Sequence, residues 1–255
     1  YTTLFRSAFS GSSATTSTRL EEPEKAMLKH FLIGAGKMRE GALTTDARVS
    51  RAAFHLAAEQ FLIASQAWPA GREDEGDRML GEALFQTGHF AEAIPRLESV
   101  IGRNPTYREP LTPILARCLM RSTDTDLQRA LTTIRQYKLL PGRPLGSETD
   151  AAFMEAECLI RLGQFQAARE LLTVYSQTSH PGADDEKLQQ WKDETDLLSA
   201  SATVSEAIAR YGPGALTNPK IRPEVSMFLQ PTMETLLRLQ RDASPKLSQR
   251  TGIWI

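Results

Sequence analysis

The sequence predicts an all-α protein built from antiparallel helix pairs, and three observations carry that expectation. Past residue 21 apolar residues recur at the 3.6-residue period of a helix along most of the chain. Prolines and glycines stand at the ends of those periodic stretches, where a helix must stop. One spacing of glycine, aromatic, alanine and leucine also occurs twice, at Gly88, Phe90, Ala93 and Leu97 and again at Gly163, Phe165, Ala168 and Leu172.

The N-terminal residues stand apart from this pattern. Residues 1–7, YTTLFRS, resemble the translation of a sequencing-adapter oligonucleotide, so they are set aside from fold reasoning. On that expectation authentic sequence begins near Ala8 inside a longer protein. Residues 8–21 are rich in Ser and Thr, bury too little apolar surface to offset ordering, and read as a disordered linker.

A helical pair is expected over residues 22–73. Its first helix starts at about Glu21, with Met27, Leu28, Phe31 and Leu32 on one face, and breaks at the small residues of FLIGAG. Its second runs from about Thr45 to Trp68, with Ala53, Leu56, Ala57, Gln60, Phe61 and Ala64 as its apolar stripe, and ends at Pro69 and Gly71.

The repeat follows. DRMLGEALFQTGHFAEAIPRLESVIGRNP, from Asp77, places Leu80-Gly81, Leu84, Gly88, Phe90, Ala93-Ile94, Leu97, Val100 and Pro105 in a pattern matched by Ala156, Leu159, Gly163, Phe165, Ala168, Leu172 and Tyr175. Between them, Leu115-Ala116, Leu119, Ala130, Ile134 and Tyr137 form a degenerate copy whose two extra residues fall in the turn STDTD. Gly81 and Ala93 are small where helices cross, Gly88 permits a left-handed turn, Phe90 and Leu97 fill the space between helices, and Pro105 ends the unit. Pro95 lies beyond the first turn of its helix and is expected to kink it.

This pattern resembles the tetratricopeptide repeat, with Asp77 in place of the usual Trp. The resemblance implies a right-handed α-solenoid of three repeats over 74–182 (74–107, 108–143 and 149–182) with flanking helices. The C-terminal extension, 183–255, is expected to hold a helix from about Asp184 to Tyr211 and another from about Pro223 to Asp242, bent or split at Pro231. In proteins of this family the first helices of successive repeats line a concave groove for a peptide or a partner's helix. Carried over by position, the groove residues are Arg78, Glu82, Phe85, Gln86, Arg117, Met120, Arg121, Phe153, Glu157, Ile160 and Arg161. Three arginines, Arg117, Arg121 and Arg161, beside Phe85, Met120 and Ile160 would suit a protein partner with acidic and apolar side chains. The alternative that flanking helices of the same chain fill the groove stays open. The Lys and Asn residues by which chaperone-binding members hold a terminal carboxylate are absent.

Other chemistry finds little support. A formal net charge of -1 disfavours nucleic acid as a partner. FLIGAG is far shorter than the roughly 20 apolar residues of a membrane span, so no membrane contact is expected of these residues. FLIGAGK also fails the phosphate-loop pattern, with Phe31 at the first glycine position and Met38 at the Ser/Thr position. His30, His55, His89 and His180 show no ligand spacing, the carboxylates of EDEGD precede a helix, and no nucleophile motif occurs. Cys118 and Cys158 occupy the slot of Ala83 and read as small packing residues, which leaves the redox compartment open between cytoplasm and periplasm. No catalytic residue, cofactor or metal is expected. The function implied is that of a non-catalytic interaction scaffold, or alternatively an adaptor region of a larger membrane-anchored, secretion-associated or enzymatic protein.

Overall fold

Helix formation follows the periodic stretches closely. A computed structural model describes residues 22–144, 146–178 and 183–242. Among them are ten α-helices and no strand: α1 Glu22–Leu43, α2 Ala47–Ala64, α3 Glu73–Thr87, α4 Phe90–Arg103, α5 Arg108–Ser122, α6 Leu127–Lys138, α7 Ser147–Arg161, α8 Phe165–Gln177, α9 Asp185–Tyr211 and α10 Arg222–Asp242. The expectations for residues 1–21, for His180 to Gly182 and for the ending TGIWI lie outside the described residues. The chain divides into two compact units between Gly76 and Asp77.

In the first unit α1 and α2 form a hairpin. Asp46 caps α2 by accepting from the backbone N–H of Arg48 at 2.8 Å and of Val49 at 3.3 Å. The expected break at FLIGAG is absent: α1 runs through all three of its glycines. The reason lies in the facing helix. A Cβ on Gly34 would stand 2.8 Å from the Phe61 ring, and one on Gly41 would stand 3.0 Å from the Phe54 ring. Two glycines seven residues apart thus receive two phenylalanines seven residues apart on an antiparallel partner, with buried Met38 and Ala57 at the register midway. Phe31, Phe61 and Trp68 close the top of this core edge to face, at 5.9 Å and 6.3 Å from Phe31. The stripes expected on these helices are narrower than drawn: Leu32 and Leu56 are exposed, because the glycine–phenylalanine seam sets which face turns inward.

In the second unit helices pack in chain order, each against the next from α4 to α10. The slots aligned from sequence share their burial. Ala93, Ala130 and Ala168 are all fully buried, as are Leu97, Ile134 and Leu172 one turn on, with Val100, Tyr137 and Tyr175 at the following turn. Gly81 lies against Leu97, where a Cβ would come within 2.7 Å of Leu97 Cδ2. Gly88 and Gly163 end their helices with φ of 85° and 73°. In each turn the next residue donates back to a leucine carbonyl, His89 to Leu84 and Gln164 to Leu159, both at 2.8 Å. That is the Schellman closure for which a left-handed glycine is suited. The middle pair lacks glycine and turns instead through a 3₁₀ segment, Asp124–Asp126, tied by the Thr123 hydroxyl donating to Asp126 at 2.8 Å.

Two prolines lie inside continuous helices. Pro95 stands inside an α4 that remains one helix, and Pro231 neither splits α10 nor ends it. The C-terminal extension is also more than a flank: α9 packs on both α7 and α8, and α10 packs on α9, so the two form a fourth pair in the row.

Buried carboxylates tie helices together at three of these contacts. Asp77 of α3 accepts from Arg96 at 3.1 Å and Arg103 at 2.8 Å on α4. Glu155, in the slot of Leu80, accepts from Arg135 and Lys138 of α6, both at 2.8 Å. Asp193 of α9 accepts from Arg238 of α10 at 3.1 Å.

The α1 glycines make opposite predictions. Gly36 is exposed with open space around it, so Gly36→Ala should gain about 1 kcal/mol from helix propensity. Gly34→Ala gains the same but overpacks against fully buried Phe61 at roughly 1–3 kcal/mol, and should destabilise on balance. Urea unfolding of the two variants checks the sign of each. Glu155 makes a second prediction. Desolvation by burial raises its pKa, but the hydrogen bonds and charges of Lys138 and Arg135 together outweigh that and hold it below the ordinary 4.5. A carboxyl depressed in the folded state stabilises above its unfolded value and loses that contribution as pH falls through the folded one. Glu155→Gln should therefore cost about 2 kcal/mol near pH 7, and the gap should close progressively below pH about 4.5, measured by unfolding across pH.

Candidate functional site

The first helices α5, α7 and α9 of successive pairs pack side by side, α5 on α7 and α7 on α9. Between them opens a recess of about 240 Å³. Arg117 reaches it from α5, while Asp150, Phe153, Met154 and Glu157 line it from α7. The helical repeat explains the second set, since positions 150, 153, 154 and 157 share one face over two turns. Gln190, Trp191, Glu194 and Leu198 close it from α9 by the same logic.

Only three of the residues expected in a groove, Arg117, Phe153 and Glu157, meet at this recess. Arg117 approaches Asp150 at 3.7 Å, and Phe153 packs edge-on against Tyr175 at 5.4 Å, whose hydroxyl donates to Thr149. Burial raises the Tyr175 phenol above its ordinary value, with the Thr149 hydrogen bond opposing it.

The α3 residues form a separate group. Arg78 pairs with Glu82 at 2.8 Å and lies over the Tyr107 ring at 5.9 Å. Phe85 packs on Phe90 at 6.0 Å, and the Arg121 guanidinium lies 5.7 Å from the same Phe90 ring. Gln86 is exposed.

Met120 and Ile160 must be corrected. They are 3% and 8% exposed, so their shared slot points into the array and offers a partner no surface. Arg161 is engaged within the fold: its guanidinium donates to the Met120 carbonyl and pairs with Asp124 at 2.8 Å. Met120 is among the last four residues of α5, whose carbonyls lack helical partners, so Arg161 acts as a cap from the neighbouring pair.

Sequence reasoning missed Asp150, Met154, Gln190, Trp191, Glu194 and Leu198. The α7 pair could have been found, since Asp150 and Met154 lie within a turn of Phe153 on the helix that supplied it. The α9 residues needed the knowledge that α9 extends the row of first helices.

The other chemical candidates resolve into packing. Lys37 of FLIGAGK lies in α1 and pairs with Glu40 at 2.6 Å, with no loop present. His30 shares a hydrogen bond with Gln60 at 2.8 Å, and His89 stands 3.6 Å from Glu92. Among the described residues no three His, Cys, Asp or Glu side chains are grouped to hold a metal ion, and no helix is long and apolar enough to cross a membrane. Comparisons with protein-family models, with curated proteins and with solved structures each returned no match.

Cys118 and Cys158 are fully buried beside Leu119 and Leu159. Desolvation pushes both thiols up to about 12, with a smaller charge effect in which Arg121 lowers the first, while for the second Glu157 raises and Arg161 lowers. At pH 8 such a thiol is thiolate in about one molecule in ten thousand. Neither should react with an aromatic disulfide reagent in the folded protein, and both should react on unfolding, read as released chromophore per chain.

Proposed function

We propose that the chain is a non-catalytic scaffold that binds a segment of another protein along the face made by its first helices. The second unit would wind as a right-handed α-solenoid of the tetratricopeptide type. The observation that supports this reading is the recess opened where three successive first helices lie side by side, with exposed Asp150, Glu157 and Gln190 and half-buried Phe153 and Trp191 on its walls. Stacked pairs hold such a face rigid, so little ordering entropy is lost when a segment binds.

The bound segment would carry acidic and apolar side chains toward the α3–α5 end. Of the three arginines expected to read acid, Arg117 and Arg161 are already paired with Asp150 and Asp124. Arg121 lies over an aromatic ring and forms no ion pair among the described residues. It is the cation best placed to meet a partner carboxylate, with Phe85, which packs on the same Phe90 ring, as the nearest apolar candidate of the groove.

Random short peptides displayed on phage and selected on the immobilised chain test the reading. Binders should be recovered, and Arg121→Glu should weaken a selected acidic peptide about tenfold while leaving the far-ultraviolet circular dichroism unchanged. Recovery of no binder would overturn the scaffold reading.

A further inference from the structure

The first unit carries a second apolar stripe outside the seam that joins its helices. A helix pair buries one face of each helix, and here that face is the glycine–phenylalanine seam. Elsewhere on α2, Val49 and Leu56 are 44% and 43% exposed, Ala52 is exposed and Ile63 is half-buried. Positions 49, 52, 56 and 63 fall on the 3.5-residue period of a coiled-coil seam, and the one polar residue in that series is Glu59. The helix α1 borders the stripe: His30 shares its hydrogen bond with Gln60, and Ile33, one turn from His30, is 41% exposed. Half of the exposed large apolar side chains among the described residues lie in this unit, which holds about a quarter of those residues. Uncovered apolar surface is therefore concentrated on the hairpin.

We infer that this stripe is a dimer interface that takes the α2 of a second copy of the chain, antiparallel to the first. Two observations select that occupant. The described part of the unit, residues 22–76, is shorter than the ~70 residues below which one core rarely suffices, and joining two pairs into a four-helix bundle supplies the missing layer. The other observation is charge. Exposed Arg48 flanks the stripe near its N-terminal end and exposed Glu59 stands toward its C-terminal end, and neither forms an ion pair among the described residues. A parallel copy would set like charge beside like, whereas an antiparallel copy lays the Glu59 of each chain toward the Arg48 of the other. With the twofold near Leu56, small Ala52 of one copy lies across from Glu59 of its partner and leaves room for that side chain. From Val49 to Ile63 the stripe rises about 21 Å, and with the flank of α1 its footprint is on the order of 400 Å² per copy, at the low end for specific interfaces. A micromolar dimer is expected. It would carry two copies of the second unit, so a partner with two binding segments would gain from avidity.

Sedimentation equilibrium of the full chain between about 1 and about 100 μM tests the inference, and the average mass should rise from that of one chain toward that of two. Leu56→Glu places a charge at the centre of the stripe and should weaken association more than about tenfold. Its far-ultraviolet circular dichroism should stay unchanged, because Leu56 lies outside the buried seam. Glu59→Arg and Arg48→Glu should each weaken association about threefold, and combining them should restore the wild-type value, as only charges that meet across the interface can. A chain still monomeric at about 100 μM, a dimer that Leu56→Glu leaves intact, or a charge exchange that restores nothing would overturn the inference. The phage selection above reads the second unit, so none of these outcomes bears on the scaffold reading.

Discussion

The fold depends on one steric constraint: where two helices of a pair cross, a small residue on one must receive a large residue from the other. Gly34 under Phe61, Gly41 against Phe54 and Gly81 under Leu97 are direct cases, each with a Cβ position that the facing side chain already occupies or crowds. Such crossings bring helix axes close enough for the flanking side chains to interdigitate at the density of a protein interior. The repeated alanines of α4, α6 and α8 are all fully buried. Once that spacing is set the remaining positions have little freedom. The slot beside the crossing must be small, which is why Ala83, Cys118 and Cys158 are equivalent there.

Charge enters the core at the points where this packing departs from its repeat. Glu155 stands where the first copy has Leu80, and it and Asp77 are each held by two basic residues of the adjoining helix. A buried ion pair is weak evidence for net stability, because desolvation offsets much of the attraction. Its value here is geometric. The partners Arg96, Arg103, Arg135 and Lys138 keep part of their surface in water, which lowers the desolvation cost, while the buried carboxylate accepts them only at one helix register.

The repeats were legible in the sequence because their determinants are local. A left-handed glycine followed by an aromatic residue, then alanine and leucine at helical spacing, specifies a turn and a crossing within about twenty residues. The hairpin of α1 and α2 was half legible. Its periodicity showed two helices, but the glycines of FLIGAG and Gly41 look like helix breakers until the phenylalanines of α2 are brought opposite them, and that register is a tertiary fact. The groove was the least legible. Position in the repeat predicted Met120 and Ile160 as surface residues, yet the slot that leaves Phe85 partly exposed in the first pair is sealed in the later ones. Arg161 likewise looked free until the carbonyls at the end of α5 came within its reach.

The same neighbour effects shape the face on which the proposed function rests. In an array each first helix is both a surface and a support for the next, so a charge that would face solvent in an isolated pair is drawn into contacts between pairs. Arg161 caps α5, and Arg117 leans toward Asp150. What remains outward after these demands are met is sorted by sign. Arg121 is left on α5 over the Phe90 ring, and Asp150 and Glu157 are left exposed on α7. Stacking accounts for part of this: Arg117 and Arg161, which an isolated pair would leave facing solvent, are drawn to Asp150 and Asp124 of neighbouring elements. A face built this way would distinguish the two directions in which a segment could lie across it.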